Sequence, residues 1–154
     1  ILHRPLDPAH WLLSAEAEQA RSRGYRGLPP ALSAAFAAVN PSGAWVFEAR
    51  HARAPVAAIL ILRHGPMATW QIGVARAEGR RLNAMNLLLW EAMGWLADEG
   101  HETLDLGTLN TQDAPGLARF KLGTGAIAQR QGGTWLHAGP LAPLARRLPL
   151  RLAA

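Results

Sequence analysis

Ile72-Gly73-Val74-Ala75-Arg76-Ala77-Glu78-Gly79-Arg80-Arg81-Leu82 is where this chain changes its periodicity. Upstream, Met67 to Val74 reads as a strand. Downstream, Leu82, Met85, Leu89, Ala92, Met93 and Leu96 recur at helical spacing as far as about Asp98, and Gly100 stands where a left-handed stop belongs. Glu102 to Leu106 then alternates as another strand. A strand, a long helix and a strand make a crossover, which requires the two strands to run parallel in one sheet. Two further strands precede the junction, Ala44 to Arg50 and the nearly all-apolar Pro55 to Arg63. Polar or Gly-Pro turns join them, so they and Met67 to Val74 are predicted to form an antiparallel meander. The fold class is therefore α+β: a mixed sheet, mostly antiparallel with one parallel pair, flanked by helices.

Two helices are predicted ahead of the sheet. Asp7-Pro8 reads as an N-cap with proline at the first helical position, opening a helix to about Ser22 with Trp11, Leu12, Ala15 and Gln19 on one stripe and Gly24 closing it. After a loop from Arg23 to Gly27, Pro29-Pro30 starts a second helix with Leu32, Ala35, Phe36 and Val39 inward, stopped at Asn40-Pro41. Beyond the crossover, Asp113-Ala114-Pro115 is expected to cap a short helix reaching Leu122, ended by Gly123. A last strand is expected from Ala126 to His137, interrupted by Gly132-Gly133. This gives one domain over residues 1–138, with a helical part at 1–43 and a sheet core at 44–138, followed by a Pro/Arg-rich tail at 139–154. Trp70, Trp90, Trp95 and Trp135 are expected in the core.

The composition is globular, at 49% hydrophobic and 18% charged over 154 residues. With no cysteine, thiolate metal sites and disulfides are excluded and a reducing, cytoplasmic setting is the simplest expectation. The six histidines show no close i, i+4 pairing, so no metal site is expected. No apolar run approaches the roughly 20 residues of a membrane helix. The net charge of +5 favours anionic partners: phosphates, CoA-type molecules, RNA or acidic membrane surfaces. The chain begins with Ile1, which suggests a piece of a longer protein.

Three places could carry chemistry. At the strand-to-helix junction, free N–H groups and the helix dipole attract anions, and Arg76, Arg80 and Arg81 add matching charge for a pyrophosphate; a solvated basic turn is the plain alternative. Asp105, in Leu104-Asp105-Leu106-Gly107, ends the strand parallel to the third, where ligands enter open sheets. A local cap or salt bridge, to Arg119 or Lys121, would explain it equally. The third is Arg119-Phe120-Lys121 on the short helix. Lys and Arg together number 16, and Lys121 is the only lysine. A compact ammonium can do what a guanidinium cannot, because it can lose its proton when buried. Asn83 and Asn86 sit in the first turns of an otherwise strong helix, where asparagine lowers propensity, and suggest polar contact with something bound.

Taken in order, these pieces resemble the GNAT acyltransferase fold, in the branch related to the FemAB peptidoglycan-bridge transferases. The resemblance runs from about Ala44 to Thr134. It rests on Pro55-Val56-Ala57-Ala58-Ile59-Leu60, on Glu78-Gly79-Arg80 leading into Leu87-Leu88-Leu89-Trp90-Glu91-Ala92, on Leu104-Asp105-Leu106-Gly107, and on Gly116 to Lys121 with Gly123 and Gly125. In GNAT enzymes the loop before the long helix carries Arg/Gln-x-x-Gly-x-Gly/Ala and holds the CoA pyrophosphate on backbone amides. Arg76 and Gly79 fit that pattern; Arg81 stands at the small final position, where its side chain projects toward the phosphate. FemAB-like proteins use aminoacyl-tRNA, have two GNAT-like halves, and place a Phe-Lys pair matching Phe120-Lys121 at the acyl-transfer site. The resemblance thus implies the second half of such an architecture, with an N-terminal half missing from this chain.

It also implies a bacterial N-acyltransferase moving an acyl group from acetyl-CoA or another acyl-CoA to an amine-bearing small molecule or peptide. The alternatives are a FemAB-like transferase with a tRNA partner and a non-catalytic GNAT-like binding module. In the enzyme, the N–H groups of Ile72, Gly73 and Val74 would polarise the acyl carbonyl. Arg76, Gly79, Arg80, Arg81, Asn83, Ala84 and Asn86 would hold the donor. Lys121 would stabilise the oxyanion or the donor's phosphate, Asp105 would orient Lys121 or the amine, and Phe120 would lie at the transfer site.

Overall fold

The structure, a computed structural model, describes residues 1–25 and 27–130. The chain divides into two compact units, Ile1–Thr108 and Leu109–Ala154. The first holds β1 (Leu2–Pro5), α1 (Trp11–Arg23), α2 (Pro30–Val39), β2 (Ala44–His51), β3 (Ala54–His64), β4 (Met67–Ala75), α3 (Ala77–Arg81), α4 (Ala84–Asp98) and β5 (Thr103–Asp105). Its five strands lie in chain order across one sheet. The first three pairings are antiparallel and β4 with β5 is parallel. This is the mixed sheet that the crossover demanded.

Cross-strand register sorts the side chains. Val46, Ala58, Leu60, Ile72 and Val74 share one face, and α1 buries Leu12 and Leu13 against them. Phe47, Ile59 and Ile61 alternate onto the other face. There Trp95 of α4 meets Phe47 edge-on at 5.5 Å, and α4 buries Leu88, Leu89, Ala92 and Leu96. Coverage on both faces is why β3 reads as a nearly unbroken apolar run. β1 is an edge strand that sequence periodicity missed: all four of its residues are exposed, so nothing alternates.

Several local expectations are corrected. The cap of α1 is His10, whose Nδ1 accepts from the Leu12 N–H at 3.2 Å; Asp7 spends its carboxylate on the Ala9 N–H at 2.8 Å, in a turn before the helix. α2 turns Ser33 inward with Phe36 and Ala37, while Leu32 (52% exposed) and Val39 (77%) face out. A helix apolar on all sides does not mark its buried face, and the small Ser33 and Ala37 allow a closer approach.

The long helix does not begin at Leu82. It is broken into α3 and α4 by Asn83 at φ 51°, a left-handed conformation that asparagine tolerates better than most residues. Trp90, expected in the core, is 73% exposed.

The second unit holds α5 (Pro115–Gly123), close to its expected span. Asp113 does not cap it: its carboxylate takes the Asn110 side-chain amide at 2.8 Å, and Ala114 is the cap position. Residues 126–130 form no strand. The remainder of the expected last strand, with Trp135, and the 139–154 tail lie outside the described residues.

Candidate active site

β5 accompanies β4 only from Met67 to Thr69, so among the described residues the edge of β4 beyond Thr69 is open. Just there the β3–β4 ladder slips: Ile61 faces Trp70 but Leu60 faces Ile72, which leaves Gln71 as the extra residue of a β-bulge. Past the bulge, the Arg76 N–H donates to the Val56 carbonyl at 2.9 Å. Alternation along an antiparallel ladder then turns the polar backbone groups of Ile72 and Val74 toward β3, and those of Gly73 and Ala75 toward the open edge. In agreement, the Arg80 guanidinium reaches the Ala75 carbonyl. Of the three N–H groups singled out from the sequence, Gly73's is the one that faces away from β3.

Gly73 is held by its neighbour. The Trp70 indole donates to the Ile72 carbonyl at 2.8 Å, and its ring covers Gly73 so closely that a β-carbon there would stand 2.6 Å from Trp70 Cζ2.

The arginines of the junction have different fates. Arg81 donates twice to Glu78, at 2.9 and 2.6 Å, and His51 Nδ1 approaches the same carboxylate at 3.3 Å. The Arg81 hydrogen bonds hold the Glu78 carboxyl below its ordinary value, and Glu78 in turn raises Arg81. Arg76 instead stacks over the Trp11 ring at 4.5 Å. Arg76 and Arg80, with Trp11, Glu18, Arg23 and Val74, line a groove of about 550 Å³ between α1 and the end of β4. Among the described residues neither Arg76 nor Arg80 forms an ion pair with a carboxylate. Gly79 is buried with its α-carbon against β3, Ala84 is buried, and Asn83 and Asn86 are exposed at the start of α4; Asn83 makes no capping bond.

Asp105 ends β5 and is exposed, with Oδ1 accepting the Gly107 N–H at 2.7 Å and Gly107 at φ 75°. In the second unit, α5 carries Phe120, half-buried, and Lys121, 8% exposed.

One polar cluster escaped the sequence reading. Glu48 is buried on the α1 face of the sheet and takes the Trp11 indole N–H at 2.6 Å. Arg50 Nε lies 3.2 Å from its other oxygen. His10 Nε2 is also 3.2 Å from the carboxylate. Burial lowers the His10 imidazole below its ordinary value, against the pull of Glu48. A glutamate two residues after Val46, on the same face of a strand, was the signal for this cluster.

The model of the acetyltransferase (GNAT) domain matches residues 3–122. The chain belongs to that GNAT family.

Solved structures agree on the fold. The tetramutant of BH1408 protein from Bacillus halodurans superposes with a TM-score of 0.60 at 15% identity, over 89% of this chain and 100% of its own. Aminoglycoside acetyltransferase meta-AAC0020 from an uncultured soil metagenomic sample, in complex with sisomicin, gives 0.60 at 14%, over 89% and 95%. The aminoglycoside 6'-N-acetyltransferase AAC(6')-IG from Acinetobacter haemolyticus gives 0.59 at 11%, over 90% and 99%. No curated protein matches the chain by sequence.

As a GNAT domain the chain is an acyltransferase, a family whose donors are acyl-CoA thioesters. Among the described residues no three His, Asp or Glu side chains are placed to hold a metal ion, and no helix is long and apolar enough to cross a membrane.

Proposed function

We propose that this GNAT domain acts in the cytoplasm and transfers an acyl group from a CoA thioester to the amine of a small molecule or peptide. The observation that carries the reading is the open β4 edge after the Gln71 bulge, with the Gly73 N–H facing away from β3. A thioester carbonyl laid along that edge would find a fixed donor. The neutral amine attacks the carbonyl carbon, the oxyanion that forms accepts a hydrogen bond from the Gly73 N–H, and collapse breaks the C–S bond while the proton on nitrogen passes to the departing CoA sulfur, giving amide and free thiol. Arg76 and Arg80, with the backbone from Gly79 to Ala84 and the Asn86 amide, would hold the donor's phosphates; Arg81, already paired with Glu78, contributes less. Lys121, next to Phe120 on α5, is the proposed stabiliser of the oxyanion or of a donor phosphate, and Asp105 would orient the amine.

The Phe120-Lys121 pair on α5 supports a second reading, a FemAB-like transferase that draws on aminoacyl-tRNA and follows a second GNAT-like half in a longer protein. Donor choice separates the two. Acetyl-CoA should raise the melting temperature and release thiol in the presence of amines. Turnover with charged tRNA alone would favour the second reading. No binding of acyl-CoA and no turnover with either donor, together with steeply salt-dependent RNA binding, would leave a non-catalytic module.

A further inference from the structure

Trp11 is engaged by two of its surfaces. Its indole N–H donates to the buried Glu48 carboxylate at 2.6 Å, and its ring lies 4.5 Å under the Arg76 guanidinium. The two residues come from opposite walls of the groove, Trp11 from the first turn of α1 and Arg76 from the end of β4. We infer that Trp11 is a positioning residue for the acyl donor, holding the Arg76 guanidinium at a fixed place in this groove so that it meets a phosphate as a preset fork. The inference rests on the reading of Arg76 as a ligand of the donor's phosphates.

The geometry suits that task. A stacked guanidinium uses its face and keeps its N–H edges for a bidentate phosphate contact. An arginine side chain otherwise loses rotamer freedom when it is immobilised, and part of that loss is already met before the ligand arrives. The ring is itself anchored. Glu48 fixes the indole at its N–H edge, and His10, the residue before Trp11, both caps α1 and lies 3.2 Å from the same carboxylate. A tryptophan needed only to fill space would require an acceptor for its N–H but no cation over its ring. The α1 helix, outside the junction loop, therefore becomes part of the donor site.

The test is a double-mutant cycle read by calorimetry with acetyl-CoA, using Trp11→Leu, Trp11→Phe, Arg76→Gln and Trp11→Leu with Arg76→Gln, each checked for its melting transition. Trp11→Leu should raise Kd for acetyl-CoA about fivefold, because the freed Arg76 guanidinium must then be immobilised when the donor binds. Trp11→Phe keeps a ring face under the cation and should recover most of that affinity. The double variant should bind no worse than Arg76→Gln alone, because Trp11 acts through Arg76. Additive losses, or a Trp11→Leu protein that binds like wild type while Arg76→Gln is weakened, would overturn the inference and leave the Arg76 reading in place. An Arg76→Gln protein of unchanged affinity would remove the reading of Arg76 and the inference together. Should Trp11→Leu fail to fold, Trp11→Ala with an Ala15→Leu filler on the same groove wall closes the same cycle.

Discussion

A β-carbon on Gly79 would stand 2.2 Å from the carbonyl oxygen of Val56, so α3 can rest on β3 only because residue 79 has no side chain. The same Val56 carbonyl already accepts the Arg76 N–H at 2.9 Å, which fastens the start of the junction to β3. Gly79 thus seats the loop that carries Arg76 and Arg80, whatever its amide does for a ligand. Gly79→Ala is expected to cost about 1–3 kcal/mol through overpacking. A melting temperature lower by about 3–10 °C would register it. Unchanged melting would mean that α3 is not packed on β3 as described.

The two hydrogen bonds from Arg81 to Glu78 make a prediction about donor binding. Both groups are exposed, so the pair adds little stability. It does, however, occupy the guanidinium that was expected to project toward the phosphate. Arg81→Ala is expected to change the affinity for acetyl-CoA less than twofold, whereas Arg80→Ala should weaken it about fivefold or more, the scale of a lost charge-assisted hydrogen bond. Isothermal calorimetry on the two variants checks the ordering. An Arg81→Ala loss equal to that of Arg80→Ala would show that Glu78 releases Arg81 when the donor arrives.

Period and punctuation made much of this fold legible. β2, β3 and β4 lie within one residue of where alternation and turns put them, because each has a covered face and a short polar turn at its end. The crossover, and with it the parallel pair, followed from connection geometry alone. What could not be read were features without periodicity. β1 has four exposed residues and exists through its partner β2; its pairing with Glu48 and Phe47 is a tertiary fact. The break at Asn83 lies inside an apolar pattern that continues through it. At the junction, the sequence put Ile72 to Val74 on a strand and a helix start after Gly79; the structure has the strand, but begins the helix before that glycine, at Ala77. Sequence alone could not distinguish Arg81, consumed by Glu78 within one turn, from Arg76, which is laid on a tryptophan 65 positions earlier. Glu48 was missed because its neighbours make an ordinary strand.

His10 gives a pH dependence with a definite sign. Burial holds its imidazole below the ordinary histidine value in the folded chain. Near pH 6.5 the unfolded chain therefore binds a proton that the folded chain does not, and stability falls as the pH drops from there toward the lower folded value. Above about pH 7 the contribution is fully present. Melting temperatures measured between about pH 7.5 and 5 should decline on the acid side. His10→Asn retains an acceptor for the Leu12 N–H and should flatten that decline, with the remaining slope due to other groups. A wild-type protein whose melting does not change across the histidine range would show that the imidazole is solvated.

Lys121 supplies the last prediction. It is 8% exposed on α5, in a chain whose other basic side chains are all arginines. If the ammonium stabilises the oxyanion or a donor phosphate, Lys121→Met should keep a cooperative melting transition and lower kcat about 100-fold, the scale of a lost oxyanion donor. Lys121→Arg restores charge but replaces a compact ammonium with a planar fork too broad for the same place, so it should not restore rate. Steady-state kinetics with acetyl-CoA and an amine, alongside melting curves, decide between the possibilities. Full activity in both variants removes Lys121 from the mechanism. Rescue by arginine alone makes it a binder of phosphate and not a stabiliser of the oxyanion.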